Sequence, residues 1–549
     1  MTAIAPQSDV ILLKVPLEID NNNQLTFANA TAQYNYFSSL PKLAFDNFTY
    51  QRKDGVLRIP ALIDDIISYN YVMYRNEGFS NKWFYAYIDK MEYLNDGVTA
   101  VSISTDTFQT WQFDLTYKRT FVEREHVNDD TAGLHTVPES LELGEMVQNS
   151  STTFEPNKTV KTSGNTETLT NKYMIVFQVS ELPAGSYGID KPHQYNSVYS
   201  GLFYFGVKTA ADATSIIYKY SAESKSDAIV AIFIAPTSFF NGCQFSNINT
   251  PYGNVVAYYP VDSTGVSSMS DNNFSISRPT TLNGYTPKNK KLLTYPFSYI
   301  MIDNNAGTCI TERYENFSTS SAPSYYMAGS LGQGCSIKLT PIGYKGQSAN
   351  AENYQEGIAA MKYPICGWAT DYYTNWLTQN AVNIPLTTTQ ALAGAALGTM
   401  AGVATGGMAG IIGMGGALLS AQGQINNLIN EDYKASLVPD QAHGNSNCCD
   451  VNVAWNQCFT VKCMSIKSEF AQIIDDYFSA YGYKISRVKL PNVTGRRNWN
   501  YVKTIGCYIQ ADIPQEDLQT IKDMFDRGVT FWHNASTFGD YSQNNDIIS

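Results

Sequence analysis

The amino-acid sequence predicts a mainly β protein with a smaller α+β part at its C-terminal end. Aromatic residues make up 13% of the 549 positions and 38 residues are tyrosines, a composition that favours half-buried strands over helices. Charged residues make up only 16%, below the roughly 25% of ordinary soluble domains. A chain of this length exceeds one compact core, so we expect several domains. These features favour a large structural or binding protein over a cytosolic α/β enzyme.

Residues 1–127 are predicted to form the first part of a β domain. The β-rich run Trp83–Leu94 leads into Asn95-Asp96-Gly97, and the strand-like run VTAVSIST follows. An Asp-Gly turn between two such runs is a strong indication of a hairpin. The stretch FDLTYKRTFVEREHV, at 113–127, alternates for part of its length and predicts a further strand.

Residues 128–285 are predicted to be an inserted, β-rich domain. They are rich in Ser, Thr, Asn and Gly, with short strand-like runs such as YMIVFQV, GLFYFGV and AIVAIFIA. Long strands are predicted again at 291–302 and 337–344. Residues 286–380 are therefore expected to be the second part of the first β domain.

Residues 381–447 are predicted to be a long hydrophobic segment. Not one of the 59 positions from Tyr372 to Asn430 is charged, and five glycines recur at a strict interval of four. As a helix, residues 392–419 would extend about 42 Å, longer than the roughly 30 Å hydrocarbon core of a bilayer. Glycines spaced by four allow close backbone approach between membrane helices. Each glycine costs a helix in water about 1 kcal/mol, however, and the flanks are polar, so we expect a conditional membrane segment rather than a permanent span.

Two sets of residues in this segment are candidates for membrane activity, and a flexible linker or a buried core loop is the structural alternative. The apolar set consists of Leu392, Leu397, Met400, Val403, Met408, Ile411, Ile412, Met414, Leu418 and Leu419. The glycine ladder consists of Gly394, Gly398, Gly402, Gly406 and Gly410.

Residues 448–549 are predicted to be a ferredoxin-like α+β domain. The predicted elements, in chain order, are the strand CFTVKCMSI, the helix KSEFAQIIDDYFSAY, the strands YKISRVKL and NYVKTIGCYIQADI, the helix PQEDLQTIKDMFDRG and the strand VTFWH. The first helix has an apolar stripe at a spacing of three and four, formed by Phe470, Ile473, Ile474, Tyr477, Phe478 and Tyr481. The second has Pro514 at its first turn and Gly528 just past its end. This order, βαββαβ, is that of ferredoxin-like folds.

The charge distribution leaves one basic stretch in an acidic chain. The net charge of −12 argues against a protein that binds free nucleic acid. It is compatible with a conduit for DNA, because an acidic wall lets the polyanion slide without binding it. No acidic residue lies between Asp476 and Asp512, and the cations of that interval are Lys484, Arg487, Lys489, Arg496, Arg497 and Lys503. They are candidates for contacts with DNA phosphates or for an electropositive collar. The alternative is a solvated hairpin, or pairing with an acidic neighbouring subunit.

A search for catalytic and metal-binding motifs finds none of the common ones, so we expect no enzyme activity, no catalytic residue and no cofactor. The nine cysteines are scattered without a C-x-x-C pair, which disfavours zinc and indicates buried thiols made in a reducing cytoplasm. The N-terminal stretch lacks the features of a signal peptide. One cluster, Glu123, Glu125, His126, Asp129, Asp130 and His135, has the chemistry of a metal or acid–base site. A charged strand end that enters a loop is the favoured interpretation of that cluster.

Three stretches resemble the distal tail knob, or tail tube, proteins of small, short-tailed, protein-primed phages of Gram-positive bacteria. They are NKWFYAYIDKMEYLNDGVT with TDTFQTWQFDLTYKRTFVEREHV, the region around AGSLG, and YGYKISRVKLPNVTGRRNWNYVKTIGCYIQADIPQEDLQTIKDMFDRGVTFWH. The uncharged segment just before the C-terminal domain is also in the expected place. The resemblance covers about half of the chain, and residues 128–285 match poorly.

The resemblance implies a homohexameric, β-rich tube at the tip of the virion tail, attached to other tail and collar proteins. Hydrophobic loops, here 381–447, would plug the tube before infection. On ejection they would leave it and form a channel through the host cytoplasmic membrane, through which genomic DNA passes without sequence specificity. The family has no catalytic residues.

Two other functions are alternatives. The Ser/Thr/Asn-rich region 128–285 would suit a tail protein that binds a host cell-wall receptor. A cell-wall hydrolase would need paired carboxylates such as Glu123 and Asp129.

Overall fold

The computed structural model describes residues 8–46, 55–76, 81–156, 159–162, 165–168, 173–185, 193–195, 198–240, 243–259, 273–329, 331–332, 336–351, 353–360, 365–366, 368–370, 433–435, 437, 441–443 and 459–548. Strands are the dominant element in these ranges, which confirms the mainly β class. The hydrophobic segment 392–419, with its apolar set and glycine ladder, lies outside the described residues.

The elements are numbered in chain order. The strands are β1 (Ser8–Leu13), β2 (Asn23–Leu25), β3 (Lys42–Phe45), β4 (Val56–Ile59), β5 (Tyr71–Asn76), β6 (Phe84–Asn95), β7 (Val98–Thr105), β8 (Thr116–Tyr117), β9 (Thr120–Glu125), β10 (Met146–Phe154), β11 (Thr159–Thr162), β12 (Asn165–Thr168), β13 (Tyr173–Val179), β14 (His193–Tyr195), β15 (Val198–Val207), β16 (Ile229–Pro236), β17 (Gln244–Thr250), β18 (Gly253–Tyr259), β19 (Asn273–Ser275), β20 (Ser298–Asp303), β21 (Cys309–Glu312), β22 (Ser324–Gly329), β23 (Ile337–Ile342), β24 (Ile358–Ala359), β25 (Ile365–Cys366), β26 (Trp368–Thr370), β27 (Gln441–His443), β28 (Phe459–Ile466), β29 (Tyr483–Lys489), β30 (Trp499–Ile505), β31 (Ile509–Gln510) and β32 (Val529–Trp532). The α-helices are α1 (Ala30–Ser39), α2 (Ile63–Ile66), α3 (Thr107–Trp111), α4 (Ala210–Ala222), α5 (Ser468–Tyr481) and α6 (Gln515–Arg527).

The chain divides into two compact units, each made from separated stretches. Unit 1 consists of Met1–Asn149, Pro279–Tyr299 and Met464–Ser549. Unit 2 consists of Ser150–Arg278 and Ile300–Cys463. Each unit therefore depends on pairings between residues that are far apart in sequence.

Unit 1 contains a six-stranded antiparallel sheet in the order β3-β1-β5-β6-β7-β4. The predicted hairpin is confirmed, because Asn95 at the end of β6 pairs with Val98 at the start of β7 across a two-residue loop. Helix α1 packs Phe37 flat against Tyr71, with ring centroids 5.6 Å apart, and against Tyr85 at 4.9 Å. This aromatic group anchors the helix on the sheet.

A second sheet of unit 1 corrects the ferredoxin-like prediction. The elements of 459–532 do follow the order βαββαβ, but the sheet runs β2-β32-β30-β9-β29. Strand β9, from much earlier in the chain, lies between β29 and β30, and β28 instead joins the sheet β10-β28-β20-β21. The side chain of Val122 on β9 is closed to solvent in the core beneath this sheet. A ferredoxin-like fold pairs its second strand directly with its third, whereas here β9, a strand from the first domain, separates β29 from β30.

Helix α5 begins and ends as predicted, but its buried face differs from the predicted apolar stripe. Ile473 is 66% exposed, whereas the carboxylate of Asp475 is fully buried. Asp475 accepts hydrogen bonds from the backbone N–H of Lys288 (2.7 Å) and Asn289 (3.0 Å) and from the hydroxyl of Tyr285 (2.7 Å). The buried charge is tolerated because these donors satisfy its oxygens.

Unit 2 is built on a sheet in the order β17-β18-β15-β13-β16-β25, with β14 paired to β15. The three strand-like runs of 128–285 are confirmed as parts of β13, β15 and β16. Helix α4 was not predicted there. It begins at Thr209, whose hydroxyl accepts from the N–H of Asp212 while the Asp212 carboxylate accepts from the N–H of Thr209. This capping box is a local sequence signal for a helix start.

The long strand predicted at 291–302 is only partly present. Residues Lys290–Leu293 form a 3₁₀ turn, and the strand begins at Ser298 as β20. Lys291, Leu292 and Leu293 are all buried in that turn. A strand would turn successive side chains to opposite faces, so the turn is the conformation that buries all three.

Candidate functional site

The basic segment 484–503 is the predicted site that the structure describes. The membrane-active residues 392–419 lie outside the described ranges. Among the helices that are described, none combines the length and apolar character needed to cross a bilayer.

Two cations of the basic segment pair with acidic residues of β9. Lys489 at the end of β29 forms an ion pair with Glu125, and Lys503 on β30 lies 2.9 Å from Glu123. Strand β9 runs between β29 and β30, which places its two glutamates within reach of lysines on both sides. Lys489 and Lys503 thus stabilise the sheet locally.

Glu125 is the buried member of this group. Its side chain has no solvent exposure, and it also accepts the backbone N–H of Asn492 at 2.8 Å. Burial raises the pKa of Glu125, and the neighbouring Lys489 opposes that rise. The lysine therefore holds a carboxylate in a position where it would otherwise be costly.

Arg496 has a structural position rather than a surface one. It is 9% exposed, and its guanidinium donates to the carbonyl oxygens of Val127 (2.7 Å) and Asn545 (3.2 Å). Burial lowers the pKa of Arg496, with no neighbouring carboxylate in hydrogen-bond contact among the described residues. These hydrogen bonds connect the residues just after β9 and the C-terminal segment to the loop before β30, in which Arg496 lies.

A third group of charges lies beside β9. Glu139 accepts from both Arg124 and Lys291, and Arg124 also donates to the carbonyl of Gly482 at 2.7 Å. Gly482 ends α5 with φ +65, and a Cβ there would lie 2.2 Å from the carbonyl oxygen of Glu125. Only glycine lets the helix end approach β9 this closely.

The cluster considered for metal or acid–base chemistry is used for hydrogen bonding within the fold. The Nδ1 atom of His126 accepts the N–H of Tyr501 at 2.8 Å, and burial lowers the pKa of His126 to about 3. Asp129 accepts from Thr131 in a turn, and Asp130 accepts the hydroxyl of Tyr483 at 2.5 Å. The described part of the chain contains no group of three His, Cys, Asp or Glu side chains able to hold a metal.

Three cations of the basic segment remain available to a ligand. The side chains of Lys484, Arg487 and Arg497 have no ion-pair partner among the residues that the structure describes, and Arg487 and Arg497 are exposed. Arg119, just before β9, is exposed and lines the same surface depression as Arg487. The sequence analysis missed Arg119 because it lies some 370 positions before the basic segment.

Comparison with known proteins identifies relatives over the whole chain. Residues 263–546 match the family model for the C-terminal domain of the tail knob protein gp9 of Bacillus phage phi29, and residues 7–116 match the N-terminus of caudoviral major tail proteins. The tail knob proteins gp9 of Bacillus phages B103 and phi29 are each 26% identical to this chain, with 98% of both chains covered. These relatives are structural proteins, which confirms that no enzyme activity is to be expected.

A solved structure agrees with the fold. The bacteriophage C1 tail knob protein gp12 superposes with a TM-score of 0.66 and 14% identity, over 98% of this chain and 100% of that one. At this identity the similarity extends to the fold and no further.

Proposed function

Because the chain belongs to the family of the tail knob protein gp9 of Bacillus phage phi29, we propose that six copies form the distal tube of the virion tail and that residues 381–447 open the host membrane. The chain is a tail knob protein of the virion tail and assembles with other tail proteins. Before infection the hydrophobic segments plug the tube. On ejection they enter the host cytoplasmic membrane and form a channel for the genomic DNA.

One observation carries the membrane role: 59 consecutive uncharged positions, Tyr372 to Asn430, in a chain with 86 charged residues elsewhere. Tail tubes need no such segment for their walls, since strands pair through the backbone. Once the tube opens and the apolar segment faces water, entry into lipid is favoured by about 25 cal/mol for each Å² of apolar surface removed from water. The segment therefore favours the membrane once the tube opens.

The glycine ladder supports a channel rather than a simple anchor. Five glycines at an interval of four would give one face on which neighbouring helices approach closely. Six copies bring six such segments to one place. The apolar set from Leu392 to Leu419 would then face lipid.

The free cations of the basic segment provide a second part of the proposal. Lys484, Arg487 and Arg497 would contact the passing DNA or the acidic surface of a collar protein. The other three cations, Lys489, Arg496 and Lys503, already have partners within the fold. They would therefore add to the positive electrostatic potential without contacting the DNA. A role of residues 128–285 in receptor binding stays a prediction.

Deletion of residues 391–419 tests the membrane role. We expect the intact protein to release dye from liposomes, most strongly under the condition that opens the tube, and the deletion variant to release none. Circular dichroism and oligomer mass must stay unchanged in the variant. Equal leakage by both proteins would contradict the membrane role.

The ladder is tested by the double variant Gly402→Leu/Gly406→Leu. Its matched control is Gly407→Leu/Gly415→Leu, which replaces two glycines of the same segment that would lie off the ladder face of a helix. We expect leakage to fall in the first variant and to persist in the second. The same leakage in both would show that the spacing is unimportant.

DNA contact is tested by Lys484→Ala/Arg487→Ala/Arg497→Ala. Binding of a short duplex should weaken, and the slope of log K against log salt should fall by about 0.9 for each DNA phosphate that the variant no longer neutralises. Lys503→Ala, which removes an ion-paired lysine, is the control and should leave the slope unchanged. A slope that is the same in all three proteins would argue against DNA contact.

A further inference from the structure

An exposed row of apolar side chains crosses three adjacent strands of unit 1. Phe121 on β9 is the register partner of Val488 on β29 and of Ile505 on β30. Register partners in antiparallel strands point to the same face of the sheet. Their exposed fractions are 36%, 63% and 58%. We call these three residues the apolar row.

The row is not an isolated apolar residue of the kind that any surface carries. Leu490, just beyond β29, and Tyr508, just beyond β30, are 53% and 56% exposed. Five large apolar side chains at the ends of neighbouring strands form a patch of the kind that marks an interface in a soluble protein.

Irregular backbone at the strand ends accompanies the outward position of the row. The register shifts between Lys484 and Arg487 in β29 and between Lys503 and Thr504 in β30. Ser486 has φ +45 at the first of these shifts. A bulge re-aims the side chains that follow it, here away from the core that holds Val122.

The row has a basic border. Arg119, two positions before Phe121, is exposed and has no ion pair within the described ranges. The two glutamates of β9 are already paired, Glu125 with Lys489 and Glu123 with Lys503. The surface therefore fits an apolar partner with an acidic border.

The same chain carries such a surface at the tip of the β6–β7 hairpin. Tyr93 and Leu94 are 53% and 48% exposed, and Asp89, Glu92 and Asp96 stand around them. Lys90 pairs with Glu92, which leaves the tip acidic overall. The tip also extends past its neighbours: the β5 pairing ends at Tyr87 and the β4 pairing begins at Thr99. We call residues 89–96 the hairpin tip.

We propose that the hairpin tip of one copy docks on the apolar row of the next copy, and this proposal rests on the hexameric assembly proposed above. Both surfaces are exposed in a single chain, so they do not cover each other within it. They are different patches, and their charges are opposite. A contact between two different patches is heterologous, and a rotation that closes it makes a ring. A stable interface buries roughly 800 Å² per partner, so we place this contact at the centre of a larger one.

Two variants separate the surfaces. The row variant is Val488→Glu/Ile505→Glu, and the tip variant is Tyr93→Lys/Leu94→Lys. All four side chains are about half exposed or more, so folding should persist, as checked by circular dichroism. The matched control is Ile473→Glu on α5, which is 66% exposed and belongs to neither surface. Mass photometry of the full chain should show rings for the wild type and the control. Each variant alone should be monomeric, with an association constant lowered at least about tenfold.

Mixing the two variants gives the decisive measurement. The row variant keeps an intact tip and the tip variant keeps an intact row, so an equal mixture should form a heterodimer that cannot grow into a ring. Rings in both variants, or a mixture that stays monomeric, would overturn the proposal while leaving the hexamer intact. A wild type that is monomeric under all conditions would instead contradict the hexamer itself.

Discussion

Lys291 and Glu139 form a buried ion pair, with side chains that are 2% and 0% exposed. Arg124 contacts the second oxygen of the same carboxylate. The backbone N–H of Lys484 also donates to Glu139 at 2.8 Å. One carboxylate from the loop after β9 therefore holds two cations and the start of β29, and it links three distant parts of unit 1.

Removal of this carboxylate should be among the most destabilising single changes in unit 1. Glu139→Gln leaves two buried cations without a counter-charge, so we expect the free energy of unfolding to fall by about 3–5 kcal/mol. Glu92→Gln breaks the exposed pair with Lys90 and should cost less than about 1 kcal/mol. Urea unfolding followed by tryptophan fluorescence measures both. Equal losses would mean that the buried pair contributes no more than a surface pair.

Two glycines with nearly the same φ differ in how closely a neighbouring strand approaches them. Gly482 (φ +65) and Gly506 (φ +66) both favour glycine, but a Cβ meets the Glu125 backbone at 2.2 Å only at Gly482 and nothing within 4 Å at Gly506. Gly506→Ala should cost about 1 kcal/mol for its left-handed backbone. Gly482→Ala should cost about 1–3 kcal/mol more, because its backbone (φ +65, ψ −157) lies in a region that only glycine adopts and because β9 must move. Thermal unfolding of the two variants compares them directly, and equal costs would refute the close approach.

The hairpin β6–β7 and the helices α5 and α6 could be predicted because their signals are local. Asp96-Gly97 gives the turn, and Gly528, with φ +103, ends α6 where the sequence predicts. The position of β9 could not be predicted, because its partners on β29 and β30 are about 360 or more positions away. No feature of the sequence Thr120–Glu125 identifies these partners. Long-range pairing is decided by the whole core rather than by any one stretch.

The charged site shows the same limit at the level of single residues. Arg496 and Arg497 are adjacent and identical in type, yet Arg496 is buried on backbone carbonyls and Arg497 is exposed. Asp475 occupies a core position that the stripe around Ile473 does not predict, because its donors come from residues 285–289. A sequence identifies charges, whereas the fold assigns their partners.

His126, a buried histidine just after β9, should make unit 1 less stable in acid. Burial holds the pKa of His126 at about 3 in the folded chain, below the value of about 6.5 expected when unfolded. The unfolded state therefore takes the proton first, and stability falls as pH decreases from about 6.5 toward 3, by up to about 1.4 kcal/mol per pH unit. His533, with a pKa of about 4, acts in the same direction. Asp106, whose pKa is raised by burial to about 6, opposes it, because the folded state holds that proton more tightly.

The contribution of His126 is isolated with His126→Gln. This variant should be less stable at pH 7.5, because the N–H of Tyr501 and the carbonyl of Ser479 lose their partners. Its unfolding free energy should nevertheless change less than that of the wild type between pH 6.5 and pH 4.5. A wild-type slope in His126→Gln would assign the acid sensitivity to other groups.

Glu312 in unit 2 should give the opposite pH dependence. It is 2% exposed, accepts the Tyr325 hydroxyl at 2.7 Å, and has no partner for its Oε1 atom within the described ranges. Burial raises the pKa of Glu312 to about 8, although the Tyr325 bond lowers it. The folded state therefore keeps a proton that the unfolded state releases above about pH 4.5. The stability supplied by this group is complete below that value and declines as pH rises to about 8.

Glu312→Gln removes this titration while it keeps the side chain's size and its acceptor for Tyr325. Relative to the wild type, the variant should therefore gain stability as pH rises from 5.5 to 7.5, at up to about 1.4 kcal/mol per pH unit. Hydrogen–deuterium exchange of the amides in β20 to β23 under increasing urea reports on this unit separately. Thr311→Ser, at the exposed neighbour of Glu312 on β21, changes no titratable group and should produce no such pH-dependent difference. If both variants follow the wild type at every pH, Glu312 is ionised in the folded protein. Its buried Oε1 atom would then have to accept a hydrogen bond from a further donor.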